Sequence, residues 1–81
     1  MDMGLYCKQK GFSKEEYKTF KENIKSIAAA IVMQLKDTKG LYYPTSNIIH
    51  YQTDKNIKHF IIEELKELQV EFKDNNKYYR Y

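Results

Sequence analysis

Few side chains in this sequence could act as nucleophiles, general bases or metal ligands: one cysteine, Cys7, and two histidines, His50 and His59. The histidines stand nine positions apart, and no carboxylate is spaced to form an acid–base dyad with either. The three residues match no spacing of a zinc site, where three or four ligands must converge on one ion. There is no glycine-rich phosphate loop and no nucleophile motif. Neither catalysis nor a metal or other cofactor is expected.

The remaining polar chemistry suits recognition. Lys55, Asn56, Lys58, His59, Ile62 and Lys66 fall within twelve consecutive residues. An asparagine amide offers the donor–acceptor pair that matches adenine, an isoleucine can meet a thymine methyl, and lysines suit phosphate or guanine. Glu63, Glu64 and Glu67 add negative charge farther along. A second cluster, Lys73, Asn75, Asn76 and Lys77, surrounds a turn signal. Lys14, Lys18, Lys21 and Lys25 make a third, on one narrow helical stripe, but Glu15 and Glu22 lie beside it and it reads as a solvated face. Among the eight tyrosines, Tyr78, Tyr79 and Tyr81 have the chemistry to stack bases or fill a protein interface.

These clusters need elements to carry them. Ser13 and Glu16 form a capping box, with Phe12 and Tyr17 at the staple positions, so a helix starts at residue 14. Tyr17, Phe20, Ile24, Ile27, Ile31 and Leu35 recur at spacings of three and four along it. Ala28, Ala29, Ala30, Val32 and Met33 make its second half apolar nearly all round, which predicts burial on several sides. The helix ends near Asp37 to Gly40. Leu41-Tyr42-Tyr43 before Pro44 reads as extended. Residues 45–51 suit a short helix carrying Ile48 and Ile49, capped by Thr45 or Ser46. Thr53-Asp54 caps a further helix, 54–69, whose buried face is Ile57, Ile61, Leu65 and Leu68. Alternation then takes over: Val70 and Phe72, the turn Asp74-Asn75-Asn76, then Tyr79 and Tyr81, a β-hairpin.

Eighty-one residues make one domain with a thin core. Residues 1–12 read as an N-terminal extension with no clear period, and 13–81 as a single domain. The net charge of +3 permits nucleic acid without demanding it. The excess lies in residues 1–40, with eight lysines against five acids, while residues 53–81 balance at six and six. Thirteen of the fourteen basic residues are lysine, with Arg80 the exception, a bias that an AT-rich genome explains. No signal peptide is visible, and Ile27 to Met33, the most apolar run, is far short of the ~20 residues of a membrane span. With a lone cysteine, this predicts a soluble protein of a reducing compartment, cytoplasmic or nucleoid-associated.

Long helix, short strand, short helix, turn, second helix, terminal hairpin: from residue 17 to 81 this order resembles the winged helix-turn-helix superfamily, above all in the segment PTSNIIHYQTDKNIKHFIIEELKELQVEFKDNNKYYRY. Gln69 stands where many members have a glycine, and His50-Tyr51-Gln52-Thr53 lacks their usual small residue. The resemblance implies an α+β fold with double-stranded DNA as partner. Helix 54–69 would put Lys55, Asn56 and His59 into the major groove, and the wing residues Lys73, Asn75, Asn76 and Lys77 on the backbone. A small transcriptional or plasmid/phage-type regulator acting by site occupancy is the expectation. The alternative is a protein-interaction module of the same fold, such as a small inhibitor of a cellular protein; the charge-neutral second half favours it. A first helix of about 33 Å outruns a three-helix core, leaving Tyr17, Phe20, Ile24 and Ile27 partly in water. That seam predicts a homodimer, which would present two recognition helices to a two-fold site; the alternative is that Leu5 and Tyr6 of residues 1–12 cover the same patch within one chain.

Overall fold

The computed structural model describes residues 2–37, 40–46 and 54–81. In chain order its elements are α1 (Met3–Gln9), α2 (Lys14–Lys36), β1 (Tyr43–Pro44), α3 (Lys55–Glu67), β2 (Glu71–Lys73) and β3 (Tyr78–Arg80). The strands form one antiparallel sheet in the order β1-β3-β2. Three helices and a small three-stranded sheet among the described residues make an α+β arrangement compatible with a winged-helix layout. The short helix expected over 45–51, with Ile48, Ile49 and His50, lies largely outside the described residues.

The N-terminal segment, in which the sequence showed no clear period, holds a helix. Asp2 caps α1, its carboxylate accepting from the Leu5 amide at 2.8 Å. Met3, Tyr6 and Cys7 share its inner face, and Tyr6 and Cys7 belong to the core. The helix closes with the Gly11 amide donating to the Lys8 carbonyl and the Phe12 amide to that of Cys7. This pairing needs a left-handed residue at Gly11 (φ 76°). Ser13 follows at once with the capping box, its hydroxyl taking the Glu16 amide at 3.2 Å while the Glu16 carboxylate takes the Ser13 amide at 3.0 Å. The chain thereby reverses in about four residues, and α1 lies against α2.

Of the apolar stripe of α2, Ile24, Ile31 and Leu35 are buried and Tyr17, Phe20 and Ile27 half-buried; Ala28 and Val32 beside it are buried too. Its second half is not buried on several sides. Ala29 and Ala30 are exposed, and Met33 keeps 69% of its surface in water. Among the described residues α2 packs chiefly on α3, along the face of Ile24, Ala28, Ile31, Val32 and Leu35.

The inner face of α3 is Phe60, Ile61 and Leu65, with Ile57 half-buried. Leu68, expected in that face, is exposed. Helix α3 ends at Glu67, where the Gln69 amide donates to the Lys66 carbonyl and the Val70 amide to that of Leu65, both at 3.1 Å. Val70 then packs into the core in place of Leu68. This ending puts Gln69 at φ 71°, the conformation for which winged helices commonly use glycine. Gln69→Gly is therefore expected to stabilise the fold by about 0.5–1 kcal/mol, since relief of the left-handed strain outweighs glycine's extra entropy in the unfolded chain. Urea denaturation would read it, and a loss of stability would contradict this account of the turn.

In the hairpin, Phe72 pairs with Tyr79, their rings 5.7 Å apart. Tyr79 is fully buried, Phe72 half-buried, and Tyr81 exposed. Strand β1 completes the sheet by pairing Tyr43 with Tyr79. Buried Thr45 fastens that junction: its hydroxyl donates to the Asn76 carbonyl at 2.9 Å, and its amide to the Lys77 carbonyl at 2.9 Å.

Candidate nucleic-acid interface

One face of α3 carries Lys55, His59 and Lys66, all exposed, with half-buried Ile62 between the last two. At 100° per residue these positions fall within a sixty-degree sector, directly opposite Ile57 and Ile61. Lys58 and Asn56 are half-buried at its borders, and Glu63 and Glu67 are exposed on the Asn56 side. The expected recognition residues therefore lie together, but as a narrow stripe flanked by acid on one side. At its end, Lys66 Nζ sits 5.7 Å from the centre of the Phe72 ring, so the stripe meets β2 there.

The N-terminus of α3 is fixed by Asp54. One carboxylate oxygen accepts from the Asn56 amide at 2.8 Å and from the Ile57 amide at 3.4 Å. The other accepts from the Tyr6 hydroxyl at 2.8 Å, which ties α1 to the start of the exposed stripe. Asp54 already occupies the amides that an anion would seek at a helix N-terminus, so anion contact there falls to side chains. Lys55 occupies the first helical position, where the macrodipole disfavours a cation, and no acidic residue shares that turn.

The same link gives a pH signature. The Tyr6 hydroxyl, then the Asn56 amide, hold the Asp54 carboxyl below its usual range. Burial, then the bond to Asp54, push the Tyr6 phenol up. Because Asp54 titrates lower in the folded than in the unfolded chain (about 3.9), its contribution is fully present above about pH 4. It is lost as pH falls through the folded value. The contribution of Tyr6 has the opposite sense, present below about pH 10 and lost as pH rises through its raised value. Tyr6→Phe is expected to melt about 4–8 °C lower at pH 7, the size of one hydrogen bond in a domain this small. The gap to the parent should narrow at pH 3. Thermal melts at the two pH values check it; an equal gap at both would show that the charged carboxylate is not the partner.

At the hairpin tip Asp74, Asn75 and Asn76 take φ of 54°, 57° and 66° in succession. Asp and Asn tolerate that region best among residues with a side chain, so backbone conformation alone accounts for both asparagines. Lys77 is exposed. Lys73 faces away from the core, with Nζ 4.1 Å from the centre of the Tyr42 ring and 5.6 Å from that of Tyr78. Arg80 Cζ lies 4.6 Å from the Tyr42 ring centre, and Arg80 Nε is 2.9 Å from Glu71 Oε2, which also accepts from the Tyr42 hydroxyl at 3.3 Å. Tyr42, Glu71 and Arg80 were not among the expected site residues. Alternation alone places Glu71, Lys73, Tyr78 and Arg80 on one face of the hairpin; Tyr42 joins them only because β1 pairs with β3.

Of the four residues expected to form a dimer seam, three stand partly in water as that expectation requires, and one does not. Ile24 is buried, and Tyr17, Phe20 and Ile27 are half-buried against the core. The Phe20 ring stacks on Tyr6 at 5.6 Å and meets Phe12 at 5.9 Å and Phe60 at 6.2 Å. Within one chain, Tyr6 of α1 and Phe12 cover part of the patch assigned to a second copy. Cys7 is buried, with its thiol pushed up by that burial. Among the described residues no three of His, Cys, Asp and Glu cluster as metal ligands would, and no helix is long and apolar enough to cross a membrane. His50 lies outside the described residues. No family model, curated protein or solved structure matches the chain.

Proposed function

We propose that this chain is a winged-helix protein that binds double-stranded DNA, with α3 in the major groove and the β2–β3 hairpin against the sugar–phosphate backbone. The observation that carries the reading is Lys66 on the ring of Phe72: the exposed stripe of α3 and the hairpin are one continuous surface, with cations at both ends. Lys55 supports it from a second side. A cation in the first helical turn opposes the macrodipole, and such local conflicts concentrate where function requires them. Affinity would come largely from counterion release, with few base contacts, as suits a regulator that acts by occupying its site. Two-fold pairing of copies would suit a symmetric site; the half-buried Tyr17, Phe20 and Ile27 leave part of the seam on α2 for it, the rest being covered by Tyr6 within one chain.

Titration of labelled duplexes across a salt series tests the reading. Asn56→Ala and His59→Ala are each expected to weaken binding to a selected site by about 1–3 kcal/mol while leaving random duplex nearly unaffected. No binding of the parent even at low salt would move the assignment to the protein-interaction reading, which the exposed Glu63 and Glu67 on the same helix favour.

A further inference from the structure

The solvent face of the sheet carries a cluster that the fold does not need. Tyr42, Lys73, Tyr78, Arg80 and Glu71 lie on the side opposite Phe72 and Tyr79, and contribute nothing to the core. A lysine ammonium and an arginine guanidinium are both set on the ring of Tyr42, at 4.1 and 4.6 Å. Long cationic side chains on a surface ordinarily sample many rotamers, and immobilising them costs part of any binding free energy. Here the ring has already placed both. The bridge to Glu71 engages Arg80 through Nε, and among the described residues the two terminal guanidinium nitrogens make no hydrogen bond. β2 is an edge strand of the described sheet, with Lys66 against its inner face and Lys73 on its outer face. Cations therefore flank that free edge from both sides.

We propose that this sheet face is a second phosphate-binding surface, on which the Tyr42 ring holds Lys73 and Arg80 ready for the backbone of the duplex engaged by α3. The proposal rests on the DNA reading of α3 and adds three residues to it: Arg80 touches phosphate beside Lys73, Tyr42 positions both, and Glu71 works against binding. Charge complementarity selects the occupant. Two cations already lie over the Tyr42 ring, so the surface offers charge to a polyanion before it offers a stacking platform to bases.

The test measures affinity of the full chain for a random-sequence duplex across a salt series. Lys73→Gln is expected to reduce affinity about 3–10-fold and flatten the slope of log K against log salt by about 0.9, one phosphate's worth. Tyr42→Leu leaves every charge in the chain yet should lose as much affinity, while Tyr42→Phe, which keeps the ring, should retain most of it. Glu71→Gln should bind about 2–5-fold tighter, because one negative charge beside the incoming phosphate is gone; a gain of this kind cannot arise from misfolding. If Lys55→Ala weakens binding while Lys73→Gln, Tyr42→Leu and Glu71→Gln leave both affinity and slope at the parent's values, the sheet face is no contact and the α3 reading stands alone. A parent that binds no duplex at the lowest salt overturns both.

Discussion

Phe60→Ala is expected to destabilise the chain by about 3–5 kcal/mol, the range for deleting a buried aromatic ring. Phe60 is 5% exposed, and its ring meets the edges of Tyr6 at 5.5 Å and Phe20 at 6.2 Å, so one side chain joins α3 to both α1 and α2. A domain of this length has a total stability of about 4–12 kcal/mol, so the loss takes a large fraction of it. Nothing small can collapse into the gap, because the neighbours are rings fixed by three helices. Urea denaturation followed by far-UV circular dichroism reads the effect. Leu68→Ala, on the same helix but exposed at the cap, is the matched control and should cost less than about 1 kcal/mol. Equal effects at the two positions would mean that the three helices do not meet around Phe60.

Reversing both ends of the exposed stripe, with Lys55→Glu and Lys66→Glu together, is expected to reduce duplex affinity by a factor of about 100 or more. On the proposed DNA-binding reading, two phosphate contacts are lost and two repulsions take their place. The fold should not suffer. Glutamate in the first turn of α3 agrees with the macrodipole where lysine opposes it, a gain of about 0.3–1 kcal/mol. Glutamate at 66 loses the contact with Phe72 and the last-turn complement, a loss of similar size. The double variant should therefore melt near the parent while failing to bind, a separation that a purely structural role for these lysines does not produce. Melting temperature and duplex titration on the same preparation provide the check. Retained affinity would remove α3 from the interface.

Local signals in the sequence carried most of the elements. Ser13, Glu16 and Phe12 fixed the start of α2 because a cap is a contact between residues three apart, independent of the rest of the molecule. Asp54 marked α3, and the change of period after Gln69 marked the hairpin, for the same reason. Where the reading went astray, the deciding term was not local. Seven residues of α1 are too few to display a period, although Met3, Tyr6 and Cys7 hold the spacing; the helix exists because Phe20 and Phe60 offer Tyr6 a surface. Leu68 fits the α3 stripe perfectly on a wheel, yet the left-handed turn at Gln69 ends the helix one residue earlier and gives its place to Val70.

The candidate interface divides along the same line. Its α3 half was legible, since a 3.6-residue period sorts Lys55, His59 and Lys66 from Ile61 and Leu65 by arithmetic alone. Its sheet half was not. The convergence of Tyr42 with Lys73 and Arg80 depends on β1 pairing with β3 across some thirty-five residues of chain, and no periodicity reports a partner. The sequence by itself determined which residues are helical, which alternate, and which side of each is polar, because those follow from spacing and neighbours within a few residues. Only the tertiary structure decided which polar sides meet, and that Tyr6 and Phe12 pack on Phe20 within one chain, because side-chain packing between distant segments, and the burial it rewards, exists only once the chain has closed on itself.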